Sequence, residues 1–165
     1  MTKKHWLKEN FKHIWLPYSQ MKNCALPMPV KSTKKSTIIL EDGIKLIDGI
    51  SSWWSVCHGY NHPHILKKTA AQLKKMPHIM MAGLAAKPTY QLAARLIKFV
   101  NKTKKPELNR VFFSDSGSTA VEVAMKMAVQ YFINQGNIQK NKIISFKNGY
   151  HGDTMGGMSL SDPKG

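Results

Sequence analysis

A short apolar run, Val111–Phe113, leads straight into a small polar bend, Asp115-Ser116-Gly117-Ser118, and then into a segment with helical spacing. Ala120, Val123, Ala124, Met127 and Tyr131 recur at intervals of three and four, which places them on one helix face. Gly136 is a suitable stop. A second apolar run, Ile143–Phe146, ends in a loop holding Tyr150, His151 and Asp153. The order strand, bend, helix, strand, loop predicts an α/β fold.

The bend suits an anion. The first N–H groups of a helix have no internal partner, and the helix dipole places partial positive charge there. Gly117 lets a ligand approach the backbone closely, and the Ser116 and Ser118 hydroxyls offer further hydrogen bonds. Ser and Asp are also ordinary caps, so a capped helix without ligand remains open at this point. No lysine follows the glycine as in a P-loop, and there is no G-x-G-x-x-G, so neither nucleotide fingerprint applies.

Upstream, residues 1–33 form an arm: a short basic helix, the stretch His13-Ile14-Trp15-Leu16-Pro17-Tyr18, and irregular backbone around Pro27 and Pro29. Large aromatics usually pack, so Trp15 and Tyr18 are expected to lie on the body, with Tyr18 lining a pocket as the alternative. Residues 36–48 read as a hairpin, two β-prone runs around Asp42-Gly43. Residues 49–64 fit no period and contain Trp53, Trp54, His58, His62 and His64. Adjacent tryptophans on a regular element point different ways, so one is free to face a ligand. The histidines lack ligand spacing for a metal.

Pro63 starts a helix to residue 76, apolar at Ile65, Leu66, Ala70, Leu73 and Met76, with lysines opposite. Met80 and Met81 read as core filler. A second helix spans 89–101, and a lysine-rich link covers 101–109.

Charge narrows the partners. The formal net charge is +16, from 25 basic and 9 acidic residues, and every basic residue but Arg95 and Arg110 is lysine. Nucleic-acid interfaces recruit Arg for bidentate contacts, and these lysines are scattered, so a specific nucleic-acid module is the weaker reading. An apolar content of 42% is enough for a real core. Cys24 and Cys57 show neither redox nor metal spacing. Met1–Lys12 never runs apolar long enough for a leader, and no stretch reaches the ~20 apolar residues of a membrane span. The cytoplasm is therefore the expected location.

Taken together, HIWLPYSQM (13–21), DGISSWWSVCHGYNHP (48–63), SDSGSTAVEVAMKMA (114–128) and FKNGYHGDTMGGMSLSDP (146–163) resemble the class III, pyridoxal-phosphate-dependent aminotransferases. The Trp53-Trp54 pair followed by HGYNHP resembles the branch that moves the amino group of S-adenosylmethionine to 8-amino-7-oxononanoate in biotin biosynthesis. The resemblance implies the N-terminal part of the fold-type I fold, with Val111–Phe113 and Ile143–Phe146 as two strands of a larger parallel sheet whose neighbours are missing. Residues 1–62 would supply the arm and a small-domain segment, and 63–165 the beginning of the cofactor-binding large domain.

The resemblance also implies roles. Ser116, Gly117 and Ser118 would hold the pyridoxal phosphate group, mainly through Gly117 and Ser118. Tyr150 would stack on the pyridine ring and border substrate, in a signature completed by His151 and Gly152. Trp53 would wall the substrate pocket, Tyr18 would add a hydroxyl, and Asp153 would orient Tyr150. A homodimer with sites between subunits is implied as well.

Family members run to more than twice this length, and their Schiff-base lysine and pyridinium-pairing aspartate lie past the position of Gly165. None of the lysines here sits in a matching motif, so no catalytic residue is assigned. An N-terminal portion is expected, inactive alone and marginally stable through open edges and bare apolar faces. A degenerate remnant without activity is the alternative.

Overall fold

The computed structural model describes residues 5–103 and 108–161. The start of the basic N-terminal helix, the middle of the 101–109 link and the last two residues of the 146–163 motif lie outside the described residues. The chain divides into two compact units, Met1–Leu84 and Ala85–Gly165.

The first unit is built on a three-stranded antiparallel sheet, β1 Val30–Lys34, β2 Thr37–Leu40 and β3 Lys45–Ile47, in that order. The β2–β3 pair is the expected hairpin, with Thr37 opposite Ile47 and Ile39 opposite Lys45. Its turn is closed by the Asp42 carboxylate, which accepts from Ile44 N–H at 3.1 Å, and Gly43 takes φ +90°. Strand β1 falls where irregular backbone was expected. Pro29 cannot donate to a ladder, so pairing starts just after it, at Val30 opposite Leu40, with an irregularity between Val30 and Ser32. Leu40 is the one buried hydrophobic side chain among the described residues, at 4% exposure.

A helix follows at Pro63–Lys75, with Pro63 in its first turn, where the missing N–H costs nothing. A short helix, His5–Asn10, precedes the sheet, and the indole of Trp6 donates to Glu41 Oε1 at 3.0 Å.

The second unit has helices Lys87–Val100, Gly117–Asn134 and Met155–Ser159. The first starts two residues before the expected 89, because Pro88 also fits an N-terminal turn. The second ends in a Schellman motif: Asn137 N–H donates to Phe132 O and Gly136 N–H to Ile133 O, both at 2.9 Å, with Gly136 at φ +77°.

Val111–Phe113 and Ile143–Phe146 carry no ladder among the described residues, so neither run is a paired strand here, as expected of strands whose sheet neighbours are missing. An extended run becomes a strand only with a ladder partner, and the one sheet among the described residues contains neither run. Ile144 is 97% exposed, so the run is bare. The same physics corrects two packing expectations, for Trp15 and for Met80 and Met81, and leaves the helix face bare as expected. Trp15 is 87% exposed, Met80 and Met81 are both exposed, and the apolar face of Pro63–Lys75 is uncovered at Ile65, Leu66 and Leu73. Amphipathic faces bury area only when another layer meets them.

Candidate functional site

In the second unit, the helix Gly117–Asn134 starts where the bend was read. Ser116 is its cap: extended at φ −150° and ψ 163°, it accepts from Thr119 N–H at 3.2 Å. Its hydroxyl also shares a hydrogen bond with Thr119 Oγ1 at 2.9 Å. Ser116 thus fixes the helix start that its neighbours Gly117 and Ser118 open. Gly117 and Ser118 sit in the first turn, where a helix offers their N–H groups no internal acceptor. A Cβ on Gly117 would meet nothing within 4 Å, so open space lies beside that backbone. Replacing Ser116 by alanine should cost about 1 kcal/mol, read as a lower melting temperature of this helix by far-ultraviolet circular dichroism.

The loop holding Tyr150 is docked on this helix start by three devices. Asp153 N–H donates to Ser118 Oγ at 3.1 Å, which leaves the Ser118 O–H free to donate. Thr154 Oγ1 donates to Glu122 Oε2 at 2.9 Å and caps the helix Met155–Ser159 through Gly157 N–H at 3.2 Å. Gly152, at φ +108°, lies so close that a Cβ would stand 2.5 Å from Ser118 Oγ and 2.7 Å from Ser118 Cα. Beyond this dock, the Tyr150 hydroxyl donates to Asp153 Oδ2 at 3.0 Å while its ring is exposed. His151 Nε2 is buried and without a partner among the described residues.

The donor set fits a phosphate monoester: two first-turn N–H groups, one hydroxyl proton and a helix dipole of the right sign, beside open space. No aspartate or glutamate is needed to hold such a group, and the nearest carboxylate of the loop, Asp153, is engaged by the Tyr150 hydroxyl.

The first unit brings Tyr18 and Trp53 together, ring centroids 5.6 Å apart and 83° between planes, an edge-to-face pair. Both rings are exposed. Trp53 stands in a left-handed turn: Ser51, Ser52, Trp53 and Trp54 take φ of 51°, 48°, 53° and 66°. Non-glycine residues pay roughly 1–2 kcal/mol each there, so the surroundings must hold the turn. Asp48 does much of this. Its Oδ1 accepts from Ile50 N–H at 3.1 Å, and its Oδ2 from Ser52 N–H at 2.8 Å and the Tyr60 hydroxyl at 2.7 Å. Ser55 Oγ donates to Ser52 O at 2.7 Å.

The sheet anchors the far end of this segment. Lys35 and Tyr60 exchange backbone hydrogen bonds of 3.1 and 2.7 Å, and Gly59, at φ +81°, permits that approach. Sequence reading missed Asp48 and Tyr60. The available signal was an aspartate two and four residues before N–H groups with no other obvious acceptor.

The Tyr60 hydroxyl, chiefly, holds the Asp48 carboxyl below its ordinary value; partial burial opposes this, and the N–H groups of Ile50, Ser52 and Ser51 add to it. A depressed carboxyl contributes stability above its unfolded pKa of about 3.9, and this is lost as pH falls through the lower folded value. An NMR titration of the Asp48 carboxyl should therefore give a midpoint below about 3.9; a midpoint at or above it contradicts the hydrogen-bond set.

His58 and His62 approach edge-to-face at 6.2 Å. Among the described residues there is no group of three or more His, Cys, Asp or Glu side chains placed to hold a metal, and no helix long and apolar enough to cross a membrane.

A capped helix start with open space at Gly117 and the Tyr150 loop docked on Ser118 is the arrangement that the resemblance to class III aminotransferases implies. The class-III aminotransferase family model matches residues 18–165, and the chain belongs to that family. It is 46% identical over 155 residues to the adenosylmethionine-8-amino-7-oxononanoate aminotransferase of Buchnera aphidicola subsp. Schizaphis graminum, covering 92% of this chain and 34% of that protein. The crystal structure of the adenosylmethionine-8-amino-7-oxononanoate aminotransferase from Methanocaldococcus jannaschii superposes with a TM-score of 0.87 at 34% identity, over 96% of this chain and 36% of that one. A PLP-bound amine transaminase from an uncultivated Pseudomonas species superposes at 0.79 and 32% identity, over 90% of this chain and 33% of that one. The chain thus spans about a third of the length of the relatives it matches.

Proposed function

We propose that these 165 residues are the N-terminal portion of a transaminase that moves the amino group of S-adenosylmethionine to 8-amino-7-oxononanoate, giving 7,8-diaminononanoate for biotin synthesis. The observation that carries the reading is the docked bend, where Gly117 and Ser118 present donors to open space while Ser118 Oγ secures the tyrosine loop. The relatives' names support the substrates.

In this reading Gly117 and Ser118 bind the phosphate of pyridoxal phosphate, with Ser116 holding the helix start that aims them. Tyr150 faces the pyridine ring, and Asp153 fixes its hydroxyl. Trp53 and Tyr18 form an apolar wall with one hydroxyl, suited to the long aliphatic chain of 8-amino-7-oxononanoate. When bound, pyridoxal phosphate supplies the carbonyl that carries the amino group between substrates and the ring that accepts electrons. The division at residue 62, a cytoplasmic location and a homodimer with sites between subunits belong to the same proposal.

No lysine here lies in a motif matching the family's cofactor-bonding lysine. The chain by itself is therefore expected to hold the cofactor without bonding it and to be inactive. Borohydride reduction after adding pyridoxal phosphate, followed by peptide mapping, should find no adduct at a single defined lysine. A stoichiometric adduct at one lysine would contradict this.

A further inference from the structure

We propose that Asp48 and Tyr60 are positioning residues that set the ring of Trp53. The name substrate-pocket wall for Trp53 rests on the function proposed above; the clamp itself does not. Trp53 occupies the third place in a run of four residues at positive φ, none of them glycine. Such a run has no local reason to persist, and its side chains point wherever the turn directs them.

One carboxylate gathers the turn from both sides. It takes the N–H groups of Ile50 and Ser52 just before Trp53, and the hydroxyl of Tyr60, twelve residues from Asp48 along the chain. Tyr60 is itself pinned by its backbone to Lys35, the residue just after β1. The left-handed turn is thereby tied through Asp48 and Tyr60 to the sheet. Asp48, Ser52, Trp53 and Tyr60 line one open pocket of about 320 Å³, so the clamp borders the space that Trp53 walls. The Tyr18–Trp53 edge-to-face pair reports directly on the ring's position.

The test compares Tyr60→Phe and Asp48→Asn with the unaltered chain by near-ultraviolet circular dichroism and by the Trp53 indole N–H resonance, assigned through Trp53→Ala. Tyr60→Phe removes one oxygen and keeps the ring. Both variants should lose most of the Trp53 band and shift its indole resonance while the far-ultraviolet helical signal stays. Asp42→Asn, at the hairpin turn, should leave the band unchanged. An unaltered band in both variants overturns the clamp. So does a collapse of the far-ultraviolet signal in Tyr60→Phe, which would make the hydroxyl a general support of the fold.

Adding 8-amino-7-oxononanoate separates the two ideas. A shift of the wild-type Trp53 resonance that disappears in Tyr60→Phe supports both. Loss of the band in the variants, with no shift by the ketone in wild type, keeps the clamp and removes the substrate reading.

Discussion

Replacing Gly152 by alanine is expected to unseat the tyrosine loop and to destabilise the second unit by about 3 kcal/mol. Two effects add. The backbone at φ +108° is one that L side chains rarely adopt, and the new methyl would stand 2.5 to 2.8 Å from Ser118 Oγ, Cα and Cβ. A flexible side-chain end could swing aside, but the Ser118 Cα belongs to a helix. The clash must therefore be relieved by moving the loop, which breaks the 3.1 Å bond from Asp153 N–H to Ser118 Oγ. Gly136 provides the comparison: its φ is also positive, at +77°, but a Cβ there meets nothing within 4 Å. Gly136→Ala should cost only about 1 kcal/mol. Urea unfolding gives the two costs, and hydrogen exchange at the Asp153 amide locates the effect. Protection retained in Gly152→Ala would contradict the docking.

Pyridoxal phosphate is expected to bind this chain about 100-fold or more tightly than pyridoxal, because hydrogen bonds to charged groups contribute about 1.5–3 kcal/mol each and at least two are at stake. The donors are the N–H groups of Gly117 and Ser118 and the Ser118 hydroxyl, whose oxygen already accepts from Asp153 N–H. Ser118→Ala should reduce affinity for pyridoxal phosphate by about tenfold or more and leave pyridoxal nearly unchanged. A net charge of +16 attracts any anion weakly, so the comparison belongs at physiological salt, where scattered surface charges are screened. Equal affinities for the two ligands, measured by titration calorimetry, would place the phosphate in solvent and refute the assignment.

What could be read from residues alone follows a physical line. The helix Gly117–Asn134 was legible because three local signals agree: the Ser116 cap, apolar spacing of three and four, and Gly136 as the left-handed stop. The hairpin was legible through Asp42-Gly43, and Pro63–Lys75 through its leading proline. Strand β1 was hidden because prolines at 27 and 29 advertise irregular backbone right up to its first residue.

The left-handed turn at Ser51–Trp54 had no signal in its own residues, which disfavour the conformation that Asp48 and Tyr60 help to hold. The tie between Ser118 and Asp153 joins residues 35 apart and carries no local signature. The reading also gave strands at Val111–Phe113 and Ile143–Phe146, where apolar runs stand without a ladder. Periodicity reports what a segment is suited to bury, and burial needs a second layer.

The bend from Ser116 to Ser118 is proposed to hold the phosphate of pyridoxal phosphate. That assignment is tested most directly by following backbone amide resonances of the labelled chain as pyridoxal phosphate is added. The largest shifts should fall on Gly117 and Ser118, with a smaller one at Asp153 relayed through Ser118 Oγ, and excess inorganic phosphate should reproduce the shifts at the bend. Saturating shifts confined to lysine-rich segments such as Lys67–Lys75, with Gly117 and Ser118 unmoved, would contradict the account.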